Sequence, residues 1–82
     1  MVTKLERICT GLDMLVEDSS VPRNIRRHSE EIKALLTQKG SPLDVRKAQA
    51  ISTLDEMAND PNLPLHGRTV IWSIMSQLET LA

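Results

Sequence analysis

Hydrophobic residues recur at intervals of three and four positions in four successive segments of the chain. This spacing places them on one face of an α-helix, and no segment keeps the strict alternation that is typical of a half-buried strand. The four stripes are Val2, Leu5, Ile8, Cys9, Leu12, Leu15 and Val16; Ile25, Ser29, Ile32, Leu35 and Leu36; Val45, Ala48, Ile51, Leu54, Met57 and Ala58; and Ile71, Ile74, Met75, Leu78 and Leu81. The pattern predicts an all-α fold with helices near residues 2–17, 22–39, 42–59 and 64–81.

Three short polar stretches, EDSSVP, KGSPLD and NDPNLP, separate these segments. Connections this short leave no room for long crossovers, so sequential helices must be antiparallel neighbours. We therefore expect a single domain over residues 1–82, built as a four-helix bundle of two αα-hairpins. Gly40 stands where a helix ends in the left-handed conformation, and Pro22, Pro42 and Pro64 stand where a helix begins.

Two of the loops share a motif. DSSVPRNIRR begins at Asp18 and DPNLPLHGRT begins at Asp60, so that an aspartate, a branched residue, a proline and an arginine recur at the same offsets. The proline is explained by helix initiation, because the first N–H of a helix has no acceptor within the helix. The arginine is not, because a cation near a helix N-terminus opposes the macrodipole.

The matched aspartates offer a compensation for the matched arginines. We predict two structural clasps, in which Asp18 binds Arg26 and Asp60 binds Arg68. Each aspartate is also expected to accept a loop amide N–H in an Asx turn.

The motifs VPRNIRR at 21–27 and DPNLPLHGRTVIW at 60–72 resemble the signature of a small archaeal family of uncharacterised proteins, over nearly the whole chain. The resemblance implies a compact all-helical bundle with a variant up-and-down handedness. It implies no activity.

Composition narrows the class of protein. Ten basic residues stand against eleven acidic ones, and this balance does not favour a non-specific nucleic-acid binder. The single cysteine, Cys9, is typical of a reducing compartment. No signal peptide and no apolar run of membrane-spanning length is evident, so a cytoplasmic location without membrane contact is expected.

Catalytic and metal-binding patterns are absent from the sequence. His28, His66 and Cys9 lack the spacing of zinc ligands, and no nucleophile elbow or glycine-rich phosphate loop is present. Cys9 lies on the first apolar stripe, which favours packing over nucleophilic chemistry. We expect no metal, no cofactor and no enzymatic activity.

A group of arginines is one candidate binding surface. Arg23, Arg26 and Arg27 lie in the first turns of the second helix, and a pseudo-twofold relation of the hairpins would place His66 and Arg68 at the matching corner. This corner is a candidate contact for a phosphate or for RNA. The alternative is that Arg26 and Arg27 only form ion pairs with Glu30 and Glu31. No aromatic residue accompanies the arginines for base stacking, which weakens the RNA interpretation.

Leu65 and Trp72 are the second candidate surface, because they lie seven residues apart and off the core stripe of the fourth helix. They are either buried inside the bundle or part of an interface with a partner protein. The preferred hypothesis is a non-catalytic protein-interaction or structural module whose partner is an unknown protein or a second copy in a homodimer. The alternative is an RNA- or phosphate-binding accessory protein that uses the arginine corner.

Overall fold

The computed structural model describes residues 3–81, and these residues form four α-helices and no strand. The helices are α1 (Lys4–Glu17), α2 (Arg23–Thr37), α3 (Leu43–Ala58) and α4 (Leu65–Glu79). Each helix packs against the next one along the chain, and α1 packs against α4, which closes the ring. The predicted all-α four-helix bundle is confirmed. Val2 and Ala82 lie outside the described residues.

The three prolines stand one position earlier than predicted, at the N-cap of α2, α3 and α4. The main-chain carbonyl of each proline accepts the N–H of the arginine four residues later, at 3.0, 3.2 and 3.1 Å. Proline suits this position because its φ is already close to the helical value and its missing N–H is not needed there. The sequence PxxxR thus marks the beginning of three helices.

Gly40 has the predicted backbone conformation, but it lies in the loop after α2 and does not cap the helix. Its φ of +103° lies in the left-handed region that the sequence predicted for it. The helix itself stops at Thr37, two residues before the predicted end, and Gln38 closes it by donating its N–H to the Leu35 carbonyl at 3.3 Å.

The core is aliphatic, with contributions from all four helices and from two loop residues, Val21 and Leu63. The helical members are Ile8, Leu12, Leu15, Ile25, Ile32, Leu36, Ala50, Leu54, Met57, Ala58, Ile71, Ile74 and Leu78. Ser29 is also buried. Its hydroxyl is tolerated in the core because it donates a hydrogen bond to the Ile25 carbonyl at 2.8 Å. In α3 the stripe was partly wrong, since Val45 and Ala48 are exposed while Ala50 is buried.

Candidate functional site at the paired aspartate loops

The two loops that share a motif also share a conformation. The carbonyls of Asp18 and Asp60 accept the N–H three residues later, from Val21 and Leu63, at 3.1 and 3.2 Å. One carboxylate oxygen of each aspartate, Oδ1, accepts the N–H two residues later, at 2.9 and 2.8 Å. These are the Asx turns that the motif predicts. Each turn ends on a buried branched residue, and that residue anchors the loop to the core.

The second oxygen of each carboxylate, Oδ2, reaches the other hairpin. Asp18 Oδ2 lies 2.7 Å from His66 Nε2, and Asp60 Oδ2 accepts from the Asn24 side-chain amide at 3.2 Å. His66 and Asn24 are equivalent residues, because each stands two positions after the N-cap proline of its helix. We call these two contacts the crossed pairs. They join α4 to the first loop and α2 to the last loop at one end of the bundle.

The predicted clasps are therefore wrong in their partners. Arg68 donates from Nε to the Ala58 carbonyl at 2.9 Å and from Nη2 to the main-chain carbonyl of Asp60 at 3.4 Å, not to its carboxylate. No ion pair joins Asp18 to Arg26 within residues 3–81. The carboxylates already bind a loop amide and the other hairpin, so the guanidinium group turns to the free carbonyls at the end of the preceding helix.

Arg46 follows the same pattern as Arg68. It donates from Nη1 to the Leu36 carbonyl at 2.8 Å and from Nε to the Ser41 carbonyl at 3.1 Å. In both cases the first carbonyl belongs to the residue ten positions earlier, at the C-terminal end of the preceding helix. A cation at the C-terminal end of a helix interacts favourably with the macrodipole of that helix. This interaction compensates for the unfavourable position of the arginine at the start of its own helix.

Cations from neighbouring helices also donate hydrogen bonds to the carbonyls at the C-terminal end of α4. Lys4 of α1 donates to the Thr80 carbonyl at 3.2 Å, and Lys47 of α3 donates to the Leu81 carbonyl. The sequence analysis missed both lysines, and it predicted the Asx turns without naming their donors, Ser20 and Asn62. The loop donors carried a signal, since an Asx turn places its N–H donor two residues after the aspartate.

Arg26 departs from the pattern of Arg46 and Arg68. Its Nε atom is buried and has no hydrogen-bond partner among the described residues. A surface depression at this corner is lined by Val16, Arg23, Arg26, Arg27 and Glu30. The expected ion pair between Arg27 and Glu31 is present at a loose 3.8 Å between exposed side chains, while the one between Arg26 and Glu30 is not formed.

The loop contacts hold both aspartates ionised. The pKa of Asp18 is lowered to about 2, mainly by the Ser20 hydroxyl, then by the Ser20 amide N–H and by His66. The pKa of Asp60 is lowered by the Asn62 amide N–H and then by the Asn24 side chain. These hydrogen bonds favour the charged form of each carboxyl group.

Ser20, Asp18 and His66 contain the residue types of a catalytic triad, but their geometry differs from one. The Ser20 hydroxyl is 2.6 Å from Asp18 Oδ1 and 3.2 Å from His66 Nε2, and Asp18 Oδ2 contacts the same Nε2. In a triad the serine and the carboxylate bind opposite nitrogens of the ring, so that the histidine can take the serine proton. Here both contact one nitrogen, and the cluster holds the loop without activating the hydroxyl.

Cys9 is a further candidate for chemistry within residues 3–81. Cys9 is half-buried, and burial raises the pKa of its thiol, which disfavours the reactive thiolate. The same residues contain no group of three or more histidine, cysteine, aspartate or glutamate side chains that could hold a metal ion. None of their helices is long and apolar enough to cross a membrane.

Leu65 and Trp72, the predicted interface residues, are exposed on the outer surface of α4. Their exposed fractions are 71% and 55%. Both side chains therefore lie outside the core of the bundle, and burial within the monomer is excluded for them.

These features define a small aliphatic four-helix bundle in which matched aspartate loops join two hairpins. A family model for UPF0147, described as an uncharacterised protein family, matches residues 1–81. The chain belongs to this family, as the sequence motifs had indicated.

Relatives and a solved structure agree with this assignment. The chain is 56% identical over 70 residues to a UPF0147 protein of Methanosarcina acetivorans, covering 85% of this chain and 72% of that protein. It is 45% identical over 78 residues to a UPF0147 protein of Archaeoglobus fulgidus, with 95% and 88% covered. The fold is similar to the crystal structure of a protein from uncharacterized family UPF0147 from Thermoplasma acidophilum. The TM-score is 0.91 at 46% identity, covering 96% of this chain and 93% of the other.

Proposed function

We propose that the protein is a non-catalytic interaction module that binds other proteins through the outer face of α4, and that its simplest partner is a second copy. One observation carries the proposal, namely the exposure of Leu65 and Trp72 on one face of one helix. A tryptophan buries about 150–250 Å² when it is covered, and it is enriched among the residues that dominate binding energy.

The surroundings of Trp72 suit packing against another helix. Thr69 and Ser76 are exposed on the same side of α4, and their small side chains let a second helix approach closely.

The loops support a structural role rather than catalysis. Their polar groups bind one another, and the Ser20 hydroxyl and the Asp18 carboxylate meet at one nitrogen of His66, an arrangement without a proton relay.

Trp72 also provides the measurement, because it is the only aromatic residue of the fluorescent types in the chain. We expect its emission to shift to shorter wavelength as protein concentration rises, since self-association would remove its ring from water. Sedimentation equilibrium on the same samples should show a dimer. Trp72→Ala and Leu65→Ala should each weaken dimerisation by about tenfold or more, the loss that a hot-spot residue produces.

Val45→Ala is the matched control, because Val45 of α3 is 48% exposed and lines no groove with the α4 face. This variant should dimerise like the wild type. A wild-type protein that stays monomeric at millimolar concentration would reject self-association. Capture of a protein from nuclease-treated extract by wild type and Val45→Ala, but not by Trp72→Ala, would then retain the α4 face as the interface.

A further inference from the structure

The corner between α1 and α2 departs from a rule that the other helix ends obey. Within residues 3–81, cations from neighbouring helices donate to carbonyls at or just beyond the C-terminal ends of α2, α3 and α4. Arg26 stands ten residues after Val16, as Arg46 does after Leu36 and Arg68 after Ala58, yet no such bond is formed. The guanidinium group of Arg26 is thus placed like a helix cap without acting as one.

The donors of Arg26 remain available to a ligand. Its Nε–H is buried without a partner, and a buried donor that leaves water is normally matched by an acceptor. Arg26 lines the surface depression together with Arg23 and Arg27, and the three residues share one side of α2 because they are three and four positions apart. An acceptor that three guanidinium groups can share would therefore suit this corner.

The charge of the depression is largely unneutralised. Glu30 is the one carboxylate in its lining, and it is not within ion-pair distance of Arg26. Arg27 contacts Glu31 only at 3.8 Å, through side chains that are 67% and 62% exposed, so this pair competes weakly with a bound anion. Three positive groups against one negative group favour an oxyanion.

We propose that the α1–α2 corner binds a phosphate group, either free phosphate or the terminal phosphate of a phosphate monoester. The planar guanidinium fork matches the spacing of phosphate oxygens and donates two parallel hydrogen bonds. Arg26 supplies this fork from the floor of the depression, and Arg23 and Arg27 close on the remaining oxygens from its rim. The proposal uses different residues from the α4 interface, so either can fail without the other.

A phosphate group fits this corner better than a nucleic acid does. Neither Trp72 nor either histidine lines the depression, so no ring is available there to stack a base. The net charge of the chain is −1, so the protein as a whole has no basic excess to attract a nucleic-acid backbone.

The test observes the arginine side chains directly. In ¹H–¹⁵N spectra of the full chain, titration with inorganic phosphate at constant ionic strength should shift the Arg26 Nε–H resonance, and the resonances of Arg46 and Arg68 should not move. Phenyl phosphate should shift the same resonance if the site accepts monoesters. Free phosphate alone should do so if the site takes only the small ion. Either result supports the proposal.

Variants separate this site from general charge effects. Arg26→Gln should weaken phosphate binding at least tenfold, and Arg27→Gln should weaken it about threefold. Arg7→Gln, which removes an exposed arginine from the groove between α1 and α4, should bind like the wild type. Dispersed backbone spectra would show that Arg26→Gln is folded, as we expect for a residue whose side chain makes no hydrogen bond to any other residue of 3–81.

Three outcomes would overturn the proposal. The Arg26 resonance could stay fixed in phosphate at tens of millimolar, Arg26→Gln could bind as tightly as the wild type, or Arg7→Gln could lose as much affinity as Arg26→Gln. Binding of single-stranded RNA that is far tighter than that of phosphate, with a steep salt dependence, would also replace a phosphate site with a nucleic-acid surface.

Discussion

At the residue scale, each carboxylate oxygen of Asp18 and Asp60 has its own partner. Oδ1 fixes the loop by accepting a main-chain N–H. Oδ2 binds a side chain in the first turn of a helix of the other hairpin, α4 for Asp18 and α2 for Asp60. An alanine could do neither, and a glutamate would place its oxygens one methylene further from the loop amide. This double use explains why the aspartate is repeated with its loop.

Acid should weaken the loop at Asp18. Its pKa is lowered from 3.8 to about 2 in the folded protein, so the ionised carboxylate stabilises the fold above about pH 4. That contribution is lost as the pH falls towards 2. We expect Asp18→Asn to lower the melting temperature at neutral pH, and we expect its difference from the wild type to shrink between pH 4 and 2, measured by circular dichroism.

Asp55→Asn is the control, because Asp55 is an exposed aspartate of α3 outside both loops. Its melting temperature should follow the wild type across the same range. A difference between wild type and Asp18→Asn that stays constant from pH 7 to 2 would show that the ionisation of Asp18 does not stabilise the fold.

The sequence predicted the local half of this arrangement and not the distant half. The Asx turn depends on residues two and three positions away, so the motif alone identifies it. The partner of Oδ2 depends on how the hairpins pack, and the nearest cation along the chain was the wrong choice. The matched positions of Asn24 and His66 were a usable signal, since equivalent residues in a repeat often take equivalent partners.

At the element scale, a helix end is stabilised by the helix beside it. The antiparallel order places the start of one helix next to the end of the preceding one, and an arginine four residues after the proline reaches across. The arginine is unfavourably placed in the macrodipole of its own helix, but it interacts favourably with the macrodipole of the preceding helix.

This account makes Arg46 and Arg68 structural and Arg26 dispensable for stability. Arg46→Gln and Arg68→Gln should each cost about 1–3 kcal/mol, because part-buried carbonyls lose charged donors. Each kilocalorie corresponds to a melting temperature lower by about 4–8 °C. Arg26→Gln should cost less than about 0.5 kcal/mol. Chemical denaturation of the three variants is the measurement, and equal losses would contradict the distinction.

The sequence predicted where the helices lie more reliably than which face of each helix is buried. The stripes of α1, α2 and α4 include all their buried residues except Gly67, because large aliphatic side chains at helical spacing leave little choice of face. In the first half of α3, Val45 and Ala48 were predicted inside and are exposed. Here the apolar residues are few and small, and contacts with the neighbouring helices decide the orientation instead.

At the scale of the whole molecule, the two hairpins behave as equivalent halves. Their loops have the same turns, and the crossed pairs join each loop to the equivalent position of the other half. The bundle is closed by an aliphatic core, and the crossed pairs fix how the halves meet at one end. The sequence predicted the four-helix bundle from its stripes and short loops, whereas it could not predict contacts that exist only once the bundle has formed.

A double-mutant cycle on Asp60 tests the crossed pairs most directly. The single variants Asp60→Ala, Asn24→Ala and Arg68→Gln, and the two doubles that contain Asp60→Ala, are compared by chemical denaturation. We expect Asp60 and Asn24 to be coupled, with the double variant no less stable than the less stable single. We expect Asp60→Ala and Arg68→Gln to be coupled only weakly, because Arg68 donates to the main-chain carbonyl of Asp60, which the alanine retains. Strong coupling of Asp60 to Arg68, with none to Asn24, would contradict the crossed arrangement and restore the clasp within each hairpin.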